Sequence, residues 1–386
     1  MDVQALRDVV ARMERGFRAE LEAMVSVDCG SYSPDGVNAI VDRCERWFRE
    51  SGWEVERRRH VPRPGEPQLG DLVIGRLAGD GGPDVLLVGH TDTVFDEGTA
   101  AARPFRAEGS RAYGPGVSDM KGGLLAGFVA VDALRAARVG GFGSITYVCN
   151  PDEEIGSPFS GPVIREVAPA HDVAFVLECA RANGDIVSAR KGVTDHVVTF
   201  RGRAAHAGVE PEKGRHAVLA AAHAIVELQA LNGRWPGVTV NVGVARGGTR
   251  PNVVPERAEL EIDVRAATAE EQEAAEREVA AILSAPRVEG VEIDVRSEGT
   301  HRPMEKGPAT AALVERARAI AADLGMELAD TATGGASDGN TTSAAGTPTL
   351  DGLGPVGGGA HGEDEWLDLD SVVPRVTLLA ALIGGV

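Results

Sequence analysis

Three short apolar runs in this chain each end on residues that bind metals. Val85-Leu86-Leu87-Val88 leads into Gly89-His90-Thr91-Asp92, Ile145-Thr146-Tyr147-Val148 into Asp152-Glu153-Glu154, and Val173-Ala174-Phe175-Val176-Leu177 into Glu178. A histidine among several carboxylates suits zinc, cobalt or manganese. An all-oxygen set would suit calcium or magnesium, and an all-thiolate set a structural zinc. Mixed sets are usually catalytic. Two further candidates are Asp119, in Gly114-Pro115-Gly116-Val117-Ser118-Asp119-Met120-Lys121-Gly122-Gly123, and His361, in Gly357-Gly358-Gly359-Ala360-His361-Gly362. The elements that must position them follow from the runs themselves. Short β-rich stretches without polar alternation read as strands buried on both faces, as in a parallel sheet, and such sheets bind ligands beyond the carboxyl ends of their strands. The clusters are expected to converge on one rim.

Each cluster alone has a plainer origin. An isolated Asp-Glu-Glu is most often a solvated turn, a histidine after a strand is usually a satisfied core or surface residue, and Glu178 would be an ordinary strand end. Their joint occurrence, each behind a buried strand, favours a site.

With these blocks in order, the chain resembles the co-catalytic zinc hydrolases of the peptidase M20 family, which includes glutamate carboxypeptidase, acetylornithine deacetylase and succinyl-diaminopimelate desuccinylase. The blocks are His-Thr-Asp-Thr at His90, Ser-Asp-Met-Lys-Gly-Gly at Asp119, Asp-Glu-Glu-Ile-Gly-Ser at Glu153, Leu-Glu at Glu178 and the Gly-rich histidine His361. The resemblance implies two Zn2+ ions per chain, with Co2+ or Mn2+ as substitutes. Asp119 would bridge them, His90 and Glu178 would complete one shell, and Glu154 and His361 the other. Glu153 would be the general base rather than a ligand. Asp92 would accept the ring N–H of His90 and fix its tautomer. His206, in Arg203-Ala204-Ala205-His206-Ala207-Gly208, would donate a hydrogen bond to the developing oxyanion from the partner subunit of a homodimer. Asn252, Arg265 and Arg302 match positions that line the cleft or bind a substrate carboxylate, where a guanidinium supplies two parallel hydrogen bonds. Either arginine is equally a surface ion-pair member on its residues alone. His216 and His223, in the helical stretch after His206, read as structural.

At 386 residues the chain exceeds the usual single-core limit of about 250–300 residues, and a hydrophobic content of 43% can supply two cores. From Ala189 the order reads strand (196–200), helix (214–231), strand (238–245), strand (258–265), helix (268–283), strand (291–295). Leu260, Ile262 and Val264 alternate with Glu259, Glu261 and Asp263, which marks a sheet with one face wet. The expected fold is α/β: a mixed, largely parallel catalytic sheet flanked by helices, from residues 1–188 and 302–386. A ferredoxin-like α+β dimerisation (lid) domain is inserted at 189–301. A C-terminal helix is expected over 370–383, and 62–67 reads as a surface loop.

The formal net charge of −19 argues against nucleic acid and anionic membrane as partners. Residues 1–22 form a charged helical pattern without an uninterrupted apolar stretch, so neither a signal peptide nor a membrane span is expected. Cys29, Cys44, Cys149 and Cys179 are scattered without a Cys-x-x-Cys pair, which suits a reducing, cytoplasmic setting and inert buried thiols.

Gly335-Ala336-Ser337-Asp338-Gly339 fits the nucleophile-elbow string, yet Ala329-Asp330-Thr331-Ala332-Thr333 before it is not a strongly apolar strand. Ser118-Asp119-Met120-Lys121 fits Ser-x-x-Lys but has no Lys-Thr-Gly partner. Gly352-Leu353-Gly354-Pro355-Val356-Gly357 satisfies a dinucleotide string without a following βαβ unit, and reads as a flexible loop presenting His361. The function expected is hydrolysis of an amide or peptide bond adjacent to a free carboxylate in a small peptide or N-acyl amino acid, glutamate-carboxypeptidase-like. The alternatives are an N-acyl-amino-acid deacylase, a serine hydrolase acting through Ser337, and a non-catalytic peptide binder.

Overall fold

The computed structural model describes residues 1–285 and 287–385; Pro286, within the expected insertion, and Val386, at the end of the expected catalytic segment 302–386, lie outside the described residues. The chain divides into two compact units. The first comprises Met1–Ala189, Lys306–Ala332 and the chain from Ser337 onward, and the second Arg190–Glu305 with Thr333–Ala336. The second unit ends later than 301 because the strand Glu292–His301 pairs along Gly192–Arg201 to its end, after which Met304 still bonds Arg190.

In the first unit a six-stranded mixed sheet runs in the order Glu54–Arg58, Leu72–Ala78, Ser144–Asn150, Asp84–His90, Val173–Val176, Thr349–Leu350. The three apolar runs are its adjacent central strands, parallel to one another, with His90 level with Asn150. Both faces are buried, which is why no polar alternation appears. Val85, Leu87, Ile145, Tyr147 and Phe175 face a core shared with the helices Val3–Val25, Pro34–Glu50, Gly122–Ala136 and Val372–Ile383. Leu86, Val88, Val148, Ala174 and Val176 face a second core under the helix Ser160–Val167. Each such Val, Leu or Phe contributes about 1.5–3 kcal/mol by leaving water, so the rim beyond these strands stands on the most rigid part of the unit.

The second unit is a four-stranded antiparallel sheet, ordered Thr239–Gly247, Arg257–Ala266, Gly192–Arg201, Glu292–His301, carrying the helices Ala217–Gln229 and Ala269–Leu283. This is the ferredoxin-like β-α-β-β-α-β arrangement. Leu260, Ile262 and Val264 enter its core with Val198, Phe200, Leu228 and Val279, while Glu259, Glu261 and Asp263 stay partly solvated. The first helix starts later than expected, at Ala217, because His216 caps it: its Nδ1 accepts the Leu219 N–H at 3.0 Å.

Candidate metal centre

His90 ends its strand with a fixed tautomer. Its Nδ1 lies 3.0 Å from the backbone carbonyl of Asp92, which can only accept, so the proton sits on Nδ1 and Nε2 is left for a ligand. The Asp92 carboxylate, 3.3 Å from the same nitrogen, does more than orient the ring. It accepts the Ser31 hydroxyl at 2.6 Å and the backbone N–H groups of Glu153 and Glu154 at 3.2 Å each. One buried carboxylate therefore docks the first cluster onto the second.

After the strand Ser144–Asn150 the chain does not stay extended. Glu153–Ile155 is a 3-10 turn, so the two glutamates are separated by the turn and not by strand alternation. Asp152 closes it by accepting the Phe159 N–H at 2.6 Å.

Asp119 lies between two imidazoles. Its Oδ1 is 3.3 Å from Nε2 of His90, and its Oδ2 is 3.2 Å from Nε2 of His361. Glu178 Oε1 lies 3.6 Å from the His90 nitrogen and Glu154 Oε2 3.1 Å from the His361 nitrogen. Two half-sites thus meet at one carboxylate. Among the described residues, His90, Asp119 and Glu154 offer atoms within 4.8 Å of one another, as do His90, Glu153 and Glu178. A direct test of whether cations fit is the second oxygen of Glu154: Oε1 is buried with no hydrogen-bond partner. An orphaned buried carboxylate oxygen is costly unless something positive meets it, so the residues fit a divalent ion.

The electrostatics point the same way. Burial alone would raise Asp119, but hydrogen bonds from His361 and His90 outweigh it and hold the carboxyl below its usual range. Asp119 and Glu154 push His361 up to about 10, and in His90 the hydrogen bonds to Asp119 and Asp92 overcome burial and raise the imidazole well above its usual value. Burial lifts Glu153 well above the carboxylate range, with His90 opposing and Glu178, Asp338 and Glu154 adding to the rise. Burial likewise raises Glu154.

Several positioning residues lie outside the expected ligand set. The buried Glu365 accepts the N–H groups of Gly116 and Ser118 at 2.8 Å and of Asp119 at 3.0 Å, which holds the turn that presents Asp119. In sequence it is only the third residue of an acidic run, with no signal to single it out. Asp338, pushed up to about 6 by burial despite the Ser157 hydroxyl at 2.7 Å, faces the charge of Glu153. Arg375, inside the C-terminal helix, donates to the carbonyls of Gly352, Gly354 and Gly184. The stretch leading to His361 is therefore pinned rather than flexible, and Gly357–Gly358 pairs as a strand with Trp366–Asp368. His361 itself is exposed and has φ of 64°, a left-handed conformation that costs a non-glycine residue energy and often marks function.

The rival strings resolve into structure. A strand does precede the elbow string, Asp330–Thr333 paired with Ile186–Arg190. Ser337, however, is buried and caps the helix Asp338–Ala344, donating to Asp351 at 2.6 Å while accepting the Gly339 N–H. Lys121 donates to the carbonyls of Val27 and Pro115, and Ser118 to Glu365. Cys179, pushed up to about 12 by burial, is an inert thiol.

The remaining expected residues belong to the second unit. His206 is exposed, its Nδ1 accepting the Gly208 N–H at 3.2 Å, and its loop is tied to that of Asn252 by the Ala207 N–H to the Asn252 carbonyl at 3.0 Å. Arg265 pairs with Asp263 at 2.9 Å and donates to the Gly334 carbonyl, and Arg302 pairs with Glu273 at 2.7 Å.

A mixed α/β sheet with carboxylates and histidines gathered beyond its parallel strands defines a metal-dependent hydrolase. The sequence profile of the peptidase family M20/M25/M40 matches residues 86–384, and the chain belongs to that family. It is 30% identical to carboxypeptidase G2 of Pseudomonas sp. (strain RS-16), over 94% of this chain and 87% of that protein. It is also 30% identical to succinyl-diaminopimelate desuccinylase of Dechloromonas aromatica (strain RCB), over 92% of this chain and 94% of that one. The aminopeptidase PepT structure from Bacillus cereus ATCC 10987 superposes with a TM-score of 0.80 at 23% identity, covering 96% of this chain and 98% of that chain, and shares the fold. No described helix is long and apolar enough to cross a membrane.

Proposed function

We propose that the protein is a cytoplasmic, homodimeric, two-zinc hydrolase that cleaves an amide or peptide bond next to a free carboxylate in a small peptide or N-acyl amino acid. The observation that carries this reading is Asp119, with one oxygen toward His90 and Glu178 and the other toward His361 and Glu154. His90, Glu178 and one oxygen of Asp119 would hold one ion, and His361, Glu154 and the other oxygen the second. Ions held there would supply Lewis-acid chemistry, polarising the scissile carbonyl and lowering the pKa of a water toward about 7. Glu153, on the turn docked by Asp92, takes a proton from that water as it attacks and returns it to the leaving nitrogen. A carboxyl raised by burial suits both halves of that task. His206 of the partner subunit donates to the carbonyl oxygen as it gains charge.

Asn252, on the loop bonded to that of His206, contacts the substrate. Arg265 and Arg302 bind its carboxylate by exchanging their pairs with Asp263 and Glu273. Exposed pairs of that kind are worth only about 0–1 kcal/mol, so the exchange costs little.

Similarity to carboxypeptidase G2 over 94% of the chain supports a carboxypeptidase specificity. Equal identity to a desuccinylase over 92% supports an N-acyl-amino-acid deacylase as the second reading. A hydrolysis screen of N-acyl amino acids and peptides ending in glutamate, with zinc, cobalt and manganese supplied separately to the metal-stripped protein, decides. Metal-restored release of C-terminal glutamate is expected. Release only from acyl-ornithine or acyl-diaminopimelate substrates would select the deacylase.

A further inference from the structure

Two clefts adjoin in the first unit. The nearer, about 330 Å³, has Glu154 in its wall and is bounded by Tyr32 and Ile155; the farther, about 730 Å³, begins at the same two residues. They join because one segment builds both. The turn Glu153–Ile155 faces the metal cluster, and Phe159, held by its N–H on Asp152, forms part of the farther cleft. Opposite Phe159 stands His60, 5.0 Å away between ring centroids, edge to face. Its Nδ1 accepts the Leu69 N–H at 3.0 Å and its carbonyl accepts from Gln68 at 2.9 Å, so this wall is fixed.

The body of the farther cleft is apolar and its rim is cationic. Val163 and Phe159 line it, while Tyr32 at its mouth is 65% exposed, an uncovered aromatic face beside the site. Arg59, also lining it, is exposed and has no ion-pair partner among the described residues. Arg63 is 85% exposed and lies 4.0 Å from Glu66, the one acid in the lining, whose other oxygen accepts the Arg63 backbone N–H. Against a chain of net charge −19, two guanidiniums facing one acid at the rim of an apolar cleft form a local anion-attracting patch.

We propose that this farther cleft is a specificity subsite for the arm of the substrate on the opposite side of the cleaved bond from its free carboxylate. The arm it fits is an aromatic or branched apolar group ending in an anion. The inference rests on the hydrolase reading above. Arg265 and Arg302, to which the reading above gives the carboxylate, line neither cleft, so the clefts are left to the other end of the substrate. Only the other end has the length to pass Tyr32 and Ile155. The volume is that of a pocket for a drug-sized group, and a guanidinium matches a carboxylate in two parallel hydrogen bonds.

The test is a series of N-acyl glutamates that share the leaving group and differ only in the arm: acetyl, phenylbutanoyl, carboxyphenylbutanoyl and aminomethylphenylbutanoyl. The carboxyphenyl arm is expected to exceed the aminomethyl arm in kcat/KM by roughly five- to tenfold, the scale of partly exposed charge pairs, with the acetyl arm poorest of the four. In Arg59→Glu/Arg63→Glu the ratio of the two charged arms is expected to invert. Arms that are all cleaved equally, or a ratio unmoved by the charge reversal, overturn the subsite and leave the hydrolase reading standing. Failure of every arm, acetyl included, with each of the three metals would sink the carboxypeptidase reading and this inference together.

Discussion

The imidazoles of His90 and His361 sit among carboxylates that favour their protonated forms, whereas a metal ion requires the neutral ring. With His361 raised to about 10 by Asp119 and Glu154, the metal-free protein at neutral pH holds protons that a cation must displace. Loading is therefore expected to release at least about one proton per chain near pH 7, and affinity to rise as pH increases toward the histidine pKa. Calorimetric titration of zinc in buffers of different ionisation enthalpy measures the release. An enthalpy independent of buffer would show that these rings are neutral before metal arrives. At this scale His90, Glu153, Glu154 and Glu178 stand out because they follow buried runs, whereas Asp119 and His361 stand out only through Gly-rich blocks that carry the family resemblance. Glu365 was not legible, since an acceptor for three backbone N–H groups has no sequence signature and its neighbours Glu363 and Asp364 look the same. The Asp92 carboxylate expected at the His90 ring N–H lies 3.3 Å from Nδ1, and the Asp92 backbone carbonyl, at 3.0 Å, shares that nitrogen.

Elements turn these residues into a site by bringing backbones unusually close. A Cβ on Gly123 would fall 1.7 Å from the Leu177 carbonyl oxygen, so only glycine lets the helix Gly122–Ala136 start against the chain that delivers Glu178. The Asp119 turn beside it depends on Glu365. In Glu365→Ala the N–H groups of Gly116, Ser118 and Asp119 lose their acceptor, and each buried orphan costs about 1–3 kcal/mol. Chemical denaturation is expected to report a loss of several kcal/mol, and the folded fraction to bind less metal than wild type. Wild-type stability and full metal content in that variant would show that Glu365 does not hold the turn. The three central strands were readable because burial on both faces removes polar alternation. The β-α-β-β-α-β order was readable for the opposite reason, since Leu260, Ile262 and Val264 alternate with acids. The Gly352–Gly357 stretch read as flexible because its restraint comes from Arg375, a distant charge inside an otherwise apolar helix.

Across the whole molecule, the first unit gathers the His-carboxylate cluster and Glu153, and the second carries His206 and Asn252 on bonded loops. If His206 serves the partner's site, mixing inactive His206→Ala chains with inactive Glu153→Gln chains should restore hybrids with one intact site, giving roughly a quarter of the wild-type rate per total chain under free exchange. Differently tagged chains allow the hybrid to be purified and assayed, and an inactive hybrid would mean that His206 acts within its own chain or not at all. The central claim, that the cluster binds metal while Glu153 moves the proton, is tested most directly by measuring kcat and metal content together in Glu153→Gln. Metal content equal to wild type is expected, with kcat lower by about 10²–10⁴, the contribution of general-base catalysis. Wild-type kcat in that variant would remove Glu153 from the chemistry, and loss of metal in step with activity would make it a ligand instead of the base.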